Sequence, residues 1–219
     1  MMKQSKLLSV FLAAVTALFI FTAAIAAPIL LRPFYYAHIS PLSLEERTGL
    51  SQRQIVTAYD EMMDYCTGRT DTFSVGGLSY TQAGRDHFAD VRGLFLLDLW
   101  AAAVSGAILL VWALAGNRSP IRPYRFRKRG FLFWGSTGLC VSMLCVGGLA
   151  ALDFDRAFTL FHALFFPGKD NWLFDPRLDA VINILPQEFF RNCAIFILAL
   201  ILLLSALFIL LDTKKTADA

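Results

Sequence analysis

Residues 118–152 read RSPIRPYRFRKRGFLFWGSTGLCVSMLCVGGLAAL. The first twelve hold six basic residues, Arg118, Arg122, Arg125, Arg127, Lys128 and Arg129, and no acid. The last twenty-two, Phe131 to Leu152, hold no charge at all. A hydrocarbon core about 30 Å thick needs roughly 20 apolar residues in a helix, so this second half reads as a membrane span. The basic half is then the short loop at one end of it. Short loops rich in Lys and Arg stay in the cytoplasm, which puts residues 116–130 inside the cell.

Working outward, three more blocks meet the same length test. Leu7 to Leu31 follows Lys3 and Lys6 and is free of charge. Leu94 to Ala115 carries a single acid, Asp98, and Phe189 to Leu211 carries only Arg191 at its leading edge. The expected fold is therefore all-α and membrane-embedded: one membrane domain over 1–219, with spans at about 7–31, 94–115, 131–152 and 189–211. Lys3 and Lys6 at the start, and Lys214 and Lys215 in the tail, set both termini on the cytoplasmic side with the basic loop. The loops 32–93 and 153–188 mix both charge signs and are expected to face out. The 57% hydrophobic content and mean hydropathy of +0.56 agree, since a soluble domain is roughly half apolar. A net charge of +3 is accounted for by topology, and the arginine cluster gives no reason to expect nucleic acid. The first span also has a basic start and small residues at Ala23 to Ala27, as a signal peptide has. Its apolar run continues through Ile29, Leu30 and Leu31, so it is expected to stay uncleaved.

The outer loops read as a small, mainly helical extracytoplasmic domain. Ser43 with Glu46, and Ser51 with Gln54, have the spacing of capping boxes, and Gly49 and Gly68 are suited to end the helices that follow. In the second of these helices Ile55, Tyr59, Met62 and Cys66 share one side, which makes it amphipathic. It either lies on the headgroups or packs over the spans. Ser79 or Thr81 caps a helix expected to continue unbroken into the second span. Asp153 or Asp155 caps another through Phe158, His162 and Phe166, ended by Pro167-Gly168. Asp175-Pro176 has the cap-then-proline form of a further helix start. Trp172 reads as part of an interfacial aromatic belt. Cys140 and Cys145 fall in an apolar block. Cys66 and Cys193 share the outer layer, where free thiols are the stronger expectation over a bridge.

Three histidines are available for chemistry. His38, beside Tyr35, Tyr36 and Pro41, reads as an interfacial residue. His87 precedes the second span by about two turns and His162 follows the third closely, so topology brings them to one depth. Asp90 stands three residues after His87, on the same helix face, where it can orient the ring. Asp98 is an acid inside a span, a functional candidate by its cost alone, although a hydrogen-bonded structural acid explains it equally well. The chain has no HExxH, so a zinc protease lacks its ligands. It has no GxSxG elbow, no phosphate-binding glycine loop, and no spacing that specifies a metal.

Two stretches go further. Leu78-Ser79-Tyr80 with Asp86-His87-Phe88-Ala89-Asp90-Val91 is the first. The second runs Phe158-Thr159-Leu160-Phe161-His162-Ala163-Leu164-Phe165-Phe166, then Trp172-Leu173-Phe174-Asp175-Pro176 and Leu185-Pro186-Gln187-Glu188-Phe189-Phe190. Together with the four-span layout they resemble the lipoprotein intramolecular transacylase family of bacterial membrane proteins. The resemblance implies transfer of the sn-2 acyl chain of a diacylglyceryl-modified lipoprotein to its N-terminal cysteine amine, giving the lyso-form. It implies a lipoprotein substrate in the outer leaflet of the plasma membrane, no cofactor, and two essential histidines at His87 and His162. Asp90, Arg85, Tyr80 and Asp86 are supporting candidates, with Arg85 or Tyr80 at the oxyanion. One departure stands out: the family pattern has a glutamate three residues before the first histidine, and this chain has Gly84. Two other readings remain open on the residues alone. One is a non-catalytic accessory protein whose outer loops bind a partner; the other is an interfacial hydrolase that gives the acyl group to water.

Overall fold

The computed structural model describes residues 3–217. Its helices are α1 (Lys6–Leu30), α2 (Arg32–Tyr36), α3 (Leu44–Thr48), α4 (Gln52–Cys66), α5 (Gln82–Ala115), α6 (Phe131–Leu152), α7 (Phe154–Phe165) and α8 (Gln187–Ala217). Four of them, α1, α5, α6 and α8, are long and apolar enough to cross a membrane. Trp100, Val104, Leu110, Val111 and Leu114 of α5 are exposed, as are Val141, Leu144 and Val146 of α6 and Leu203, Leu207 and Leu210 of α8. Such surfaces are stable in lipid, where the helix satisfies its own backbone and apolar side chains meet hydrocarbon.

The chain forms two compact units. The first comprises the chain up to Ala26, Asp98–Gly148, and the chain from Ile197 onward. Its core is Ile20, Ala24 and Ile201, packed by Phe21, Leu139, Met143, Ile197 and Leu204. Gly135 lets α6 approach α1 closely, because a Cβ there would overlap the Ala13 carbonyl. At one end of this unit β1 (Lys3–Ser5) pairs in parallel with β2 (Ile121–Pro123), in register Gln4 to Arg122. The Asp212 carboxylate, 4% exposed, accepts the Gly130 amide at 3.0 Å and lies 3.6 Å from Arg125.

The second unit comprises Ala27–Leu97 and Leu149–Phe196. Ile55, Tyr59, Met62 and Cys66 of α4 are all buried, as the amphipathic pattern requires. Tyr59 stacks on the fully buried Tyr35 with centroids 3.7 Å apart, and the Tyr35 hydroxyl donates to the Ile184 carbonyl at 2.8 Å. Arg32 bridges Asp60 and Asp64 at 2.9 and 2.8 Å. Glu61 accepts from the Ser74 hydroxyl and the Gly76 amide, pinning the loop before α5.

The caps divide instructively. Ser51 and Gln54 close a capping box on α4, Asp153 accepts the Arg156 amide at the start of α7, and Thr81 accepts the Gly84 amide at the start of α5. Ser43 does not cap α3. It sits in the left-handed region at φ 49°, whereas a capping side chain needs extended backbone to reach the N3 amide. Gly49 does end α3, at φ 70°. The helix expected after Asp175-Pro176 is replaced by a turn and a short 3₁₀ stretch over Ala180–Ile184. Asp175 spends its carboxylate on the Arg177 amide and guanidinium, and Asp179 turns away to Thr81. Pro186 also disfavours helical backbone just before it. All four cysteines are free.

Candidate active site

The site lies in the second unit and begins with two helices entering it. α5 starts at the Thr81 cap and carries His87 one and a half turns in; α7 starts at the Asp153 cap and carries His162 near its end. Both rings are buried, at 6% and 7% exposure, and their centroids lie 5.8 Å apart at an angle of 28°. Buried imidazoles are uncommon without partners, and two facing each other concentrate proton-transfer capacity in one place.

The walls are aromatic. Phe166 and Phe174 meet His87 edge-on at 4.9 and 5.4 Å. Trp172 stacks on His162 at 4.4 Å, Phe158 lies at the same distance, and Phe161 stands edge-on at 5.5 Å. Trp172 thus covers a catalytic candidate as well as contributing amphipathic surface, a role its belt-like composition does not reveal. His38 lies elsewhere in this unit, against Phe34 and Phe189, with Nδ1 2.7 Å from the Phe34 carbonyl.

The His162 ring has a defined tautomer. Its Nδ1 lies 2.8 Å from the Phe158 carbonyl. A carbonyl only accepts, so Nδ1 carries the hydrogen and Nε2 presents the lone pair. Burial pushes this imidazole below its usual pKa, while the Phe158 carbonyl pulls it back up. His87 differs: its Nδ1 is buried with no hydrogen-bond partner of good geometry.

Asp90 does not hold the His87 ring directly. Its carboxylate receives Lys169 Nζ at 2.6 Å on one oxygen and Asn171 Nδ2 at 3.2 Å on the other. Asn171 reaches Asp90, three residues from His87, and precedes Trp172, which stacks on the His162 ring facing His87; its side chain interacts with that of His87, and its Oδ1 is buried without a partner of good geometry. No spacing or motif singles out Asn171, because its significance depends on the path of the loop after Gly168. Arg85 and Asp86 are exposed, with Asp86 accepting from Gln82 at 2.7 Å. Tyr80 is exposed and meets Phe73 edge-on at 5.0 Å. Asp98 has a buried, unpartnered oxygen but belongs to the first unit.

Gly84 proves to be a crowded position. A Cβ there would collide with the Asp179 carboxylate and stand 3.1 Å from Phe174. Asp179, 4% exposed, accepts the Thr81 amide at 2.6 Å and its hydroxyl at 3.0 Å. A carboxylate from a distant part of the chain therefore fills the space beside Gly84 and ties the start of α5 to the segment that follows Phe174. Among the described residues no cluster of three or more His, Cys, Asp or Glu is arranged to hold a metal.

Comparison with known proteins gives the chain a family. The family model described as lipoprotein intramolecular transacylase Lit matches residues 10–190. The in meso structure of the membrane-integral lipoprotein intramolecular transacylase Lit from Bacillus cereus is 27% identical, with a TM-score of 0.85 over 97% of each chain. Two variants of that protein, in which a histidine is replaced by arginine or by alanine, match with TM-scores of 0.78 and 0.75 at 26% and 27% identity. They cover 97% of this chain and 94% and 95% of theirs. No curated protein sequence matches the chain.

Proposed function

Since the chain belongs to the lipoprotein intramolecular transacylase family, we propose that His87 and His162 together move the sn-2 acyl chain of a diacylglyceryl-modified lipoprotein onto its N-terminal cysteine amine. The observation that carries this reading is the pair of buried imidazoles 5.8 Å apart inside an aromatic box. The product is an N-acylated lyso-form lipoprotein.

Proton balance explains why two imidazoles serve this reaction. The α-amine has a pKa of about 8 and arrives largely as ammonium. It ends as an amide N–H, so two protons leave the nitrogen. His162 takes the first on its free Nε2, and the neutral amine attacks the ester carbonyl. A C–N bond forms, and the adduct gives its second proton to His87. His162 then returns its proton to the glycerol oxygen as the C–O bond breaks, and His87 later releases the other to water. The burial that lowers the His162 pKa makes its imidazolium a stronger donor to the departing oxygen. Amine and ester belong to one molecule, so holding them in contact removes several kcal/mol of the barrier, as in well-oriented intramolecular reactions.

In this reading the basic stretch 116–130 and both termini face the cytoplasm, supported by the arginine cluster. The site faces the opposite side, where acyl chains remain in the outer leaflet while ester and amine reach headgroup depth. The test is expression in a host lacking its own lipoprotein N-acylating enzyme, followed by mass spectrometry of lipoprotein N-termini. Lyso-form, amine-acylated termini are expected, and their loss in His87→Ala and His162→Ala with membrane levels unchanged. Free amines that persist beside abundant protein would overturn the reading; release of free fatty acid would reassign the chain as a hydrolase.

A further inference from the structure

We propose that Asn171 is a positioning residue that fixes the tautomer of His87 and links its ring to the Asp90–Lys169 ion pair. The orientation of the Asn171 amide follows from its neighbours. Asp90 already receives Lys169 Nζ at 2.6 Å, so it is ionised and can only accept. The Asn171 group directed at it, 3.2 Å away, is therefore the NH₂ end; a flipped amide would set two acceptors against each other. That leaves Asn171 Oδ1 on the other side of the amide. It is buried and unpartnered, and so is His87 Nδ1, while Asn171 is within side-chain reach of that ring.

Two buried orphan groups at neighbouring positions, one of which can only accept, complement each other. A small rotation of either side chain closes the bond, and leaving both open keeps two buried polar groups desolvated without compensation. Because Oδ1 cannot donate, His87 Nδ1 must carry the hydrogen. The Nε2 lone pair is then free, as it is on His162. The same bond persists when His87 takes a proton at Nε2, and the Asp90 carboxylate lies one amide beyond to favour the resulting charge. The charged and titratable groups around His87 are Asp90 on its own helix, His162 on α7, and Lys169 on the loop after it. Asn171 sits among these as the one neutral connector.

The consequence for catalysis rests on the transacylase reading; the tautomer does not. The experiment is ¹⁵N NMR of the full-length protein, histidine-labelled, in micelles. With three histidines in the chain, His87 is assigned by comparison with His87→Gln. Lipoprotein N-termini are quantified in parallel by mass spectrometry. In the wild type, His87 is expected to show a protonated Nδ1 and an unprotonated Nε2. Asn171→Leu should lose that pattern, giving mixed tautomers, and slow acyl transfer tenfold or more. Asn171→Asp, nearly isosteric and still an acceptor, should keep Nδ1 protonated and move the acid limb of the rate profile to higher pH. An unchanged His87 spectrum in both variants, or Nε2 protonated in the wild type, overturns the proposal. The expected spectra without acyl transfer by the wild type would uphold the tautomer and reject the transacylase reading instead.

Discussion

At the residue scale, His162 yields a pH prediction with a definite sign. Burial lowers its pKa, so the neutral, proton-accepting form persists below the ordinary value near 6.5. The Trp172 indole supplies part of that burial through its stacked contact. Trp172→Ala admits water and should return the imidazole toward its usual pKa. The substrate amine imposes its own decline below about pH 8, shared by both proteins, so the effect is read from their ratio. The variant's kcat/KM relative to wild type should fall further as pH drops through about 6.5; a flat ratio rejects the role given to Trp172. Gly84 yields a second. Gly84→Ala sets a methyl group against the Asp179 carboxylate, and overpacking of this kind costs about 1–3 kcal/mol. Thermal unfolding in detergent should show the loss. An Asp179→Ala background should largely remove the additional cost of the alanine, and equal costs in both backgrounds would mean that Asp179 is not the obstacle.

These same residues show what was legible in the sequence. His87 and His162 are polar groups at matched distances from two span ends, so topology set them at one depth and the family resemblance paired them as a site. Asp90 shares a helix face with His87, but a position three residues along cannot say whether the carboxylate meets the ring or something between. Asn171 and Asp179 were not legible, because each acts across many residues of sequence through an irregular loop. No period or cap spacing encodes such a path.

At the element scale, short-range chemistry served well where a side chain had one attractive local partner. Ser51, Thr81 and Asp153 each met an amide at the predicted helix start. It failed at Ser43, whose own backbone is left-handed, and at Asp175, where Arg177 competes for the carboxylate. The helix α4 offers a test. Ser51→Ala removes the hydroxyl that accepts the Gln54 amide and leaves the residue-51 amide donating to Gln54 Oε1, which should destabilise the protein by about 1 kcal/mol, seen as a lower midpoint of thermal unfolding. Faster hydrogen exchange should be confined to the first turn, Gln52 to Ile55. No change in either measurement would show that tertiary packing of Tyr59 on Tyr35 holds the helix without its cap.

At the scale of the whole molecule, apolar blocks of about twenty residues with at most one charge each determined the four long helices without reference to anything finer. The arginine-rich loop predicts a cytoplasmic position for residues 116–130, which reporter fusions can check. Alkaline phosphatase inserted at Gly77 or Gly168 should be active, and the same enzyme after Ser119 or fused to the tail should be inactive. The opposite pattern would reverse the sidedness and bring the histidines to the wrong leaflet for a mature lipoprotein.

The buried Asp212 gives the final helix an importance that its monotonous leucines conceal. The Gly130 amide and the carboxylate that accepts it are made 82 residues apart, so the contact forms only once this part of α8 has emerged from the ribosome. Asp212→Asn would keep an acceptor for that amide while removing the negative charge 3.6 Å from Arg125, which separates the worth of the bond from the worth of the charge.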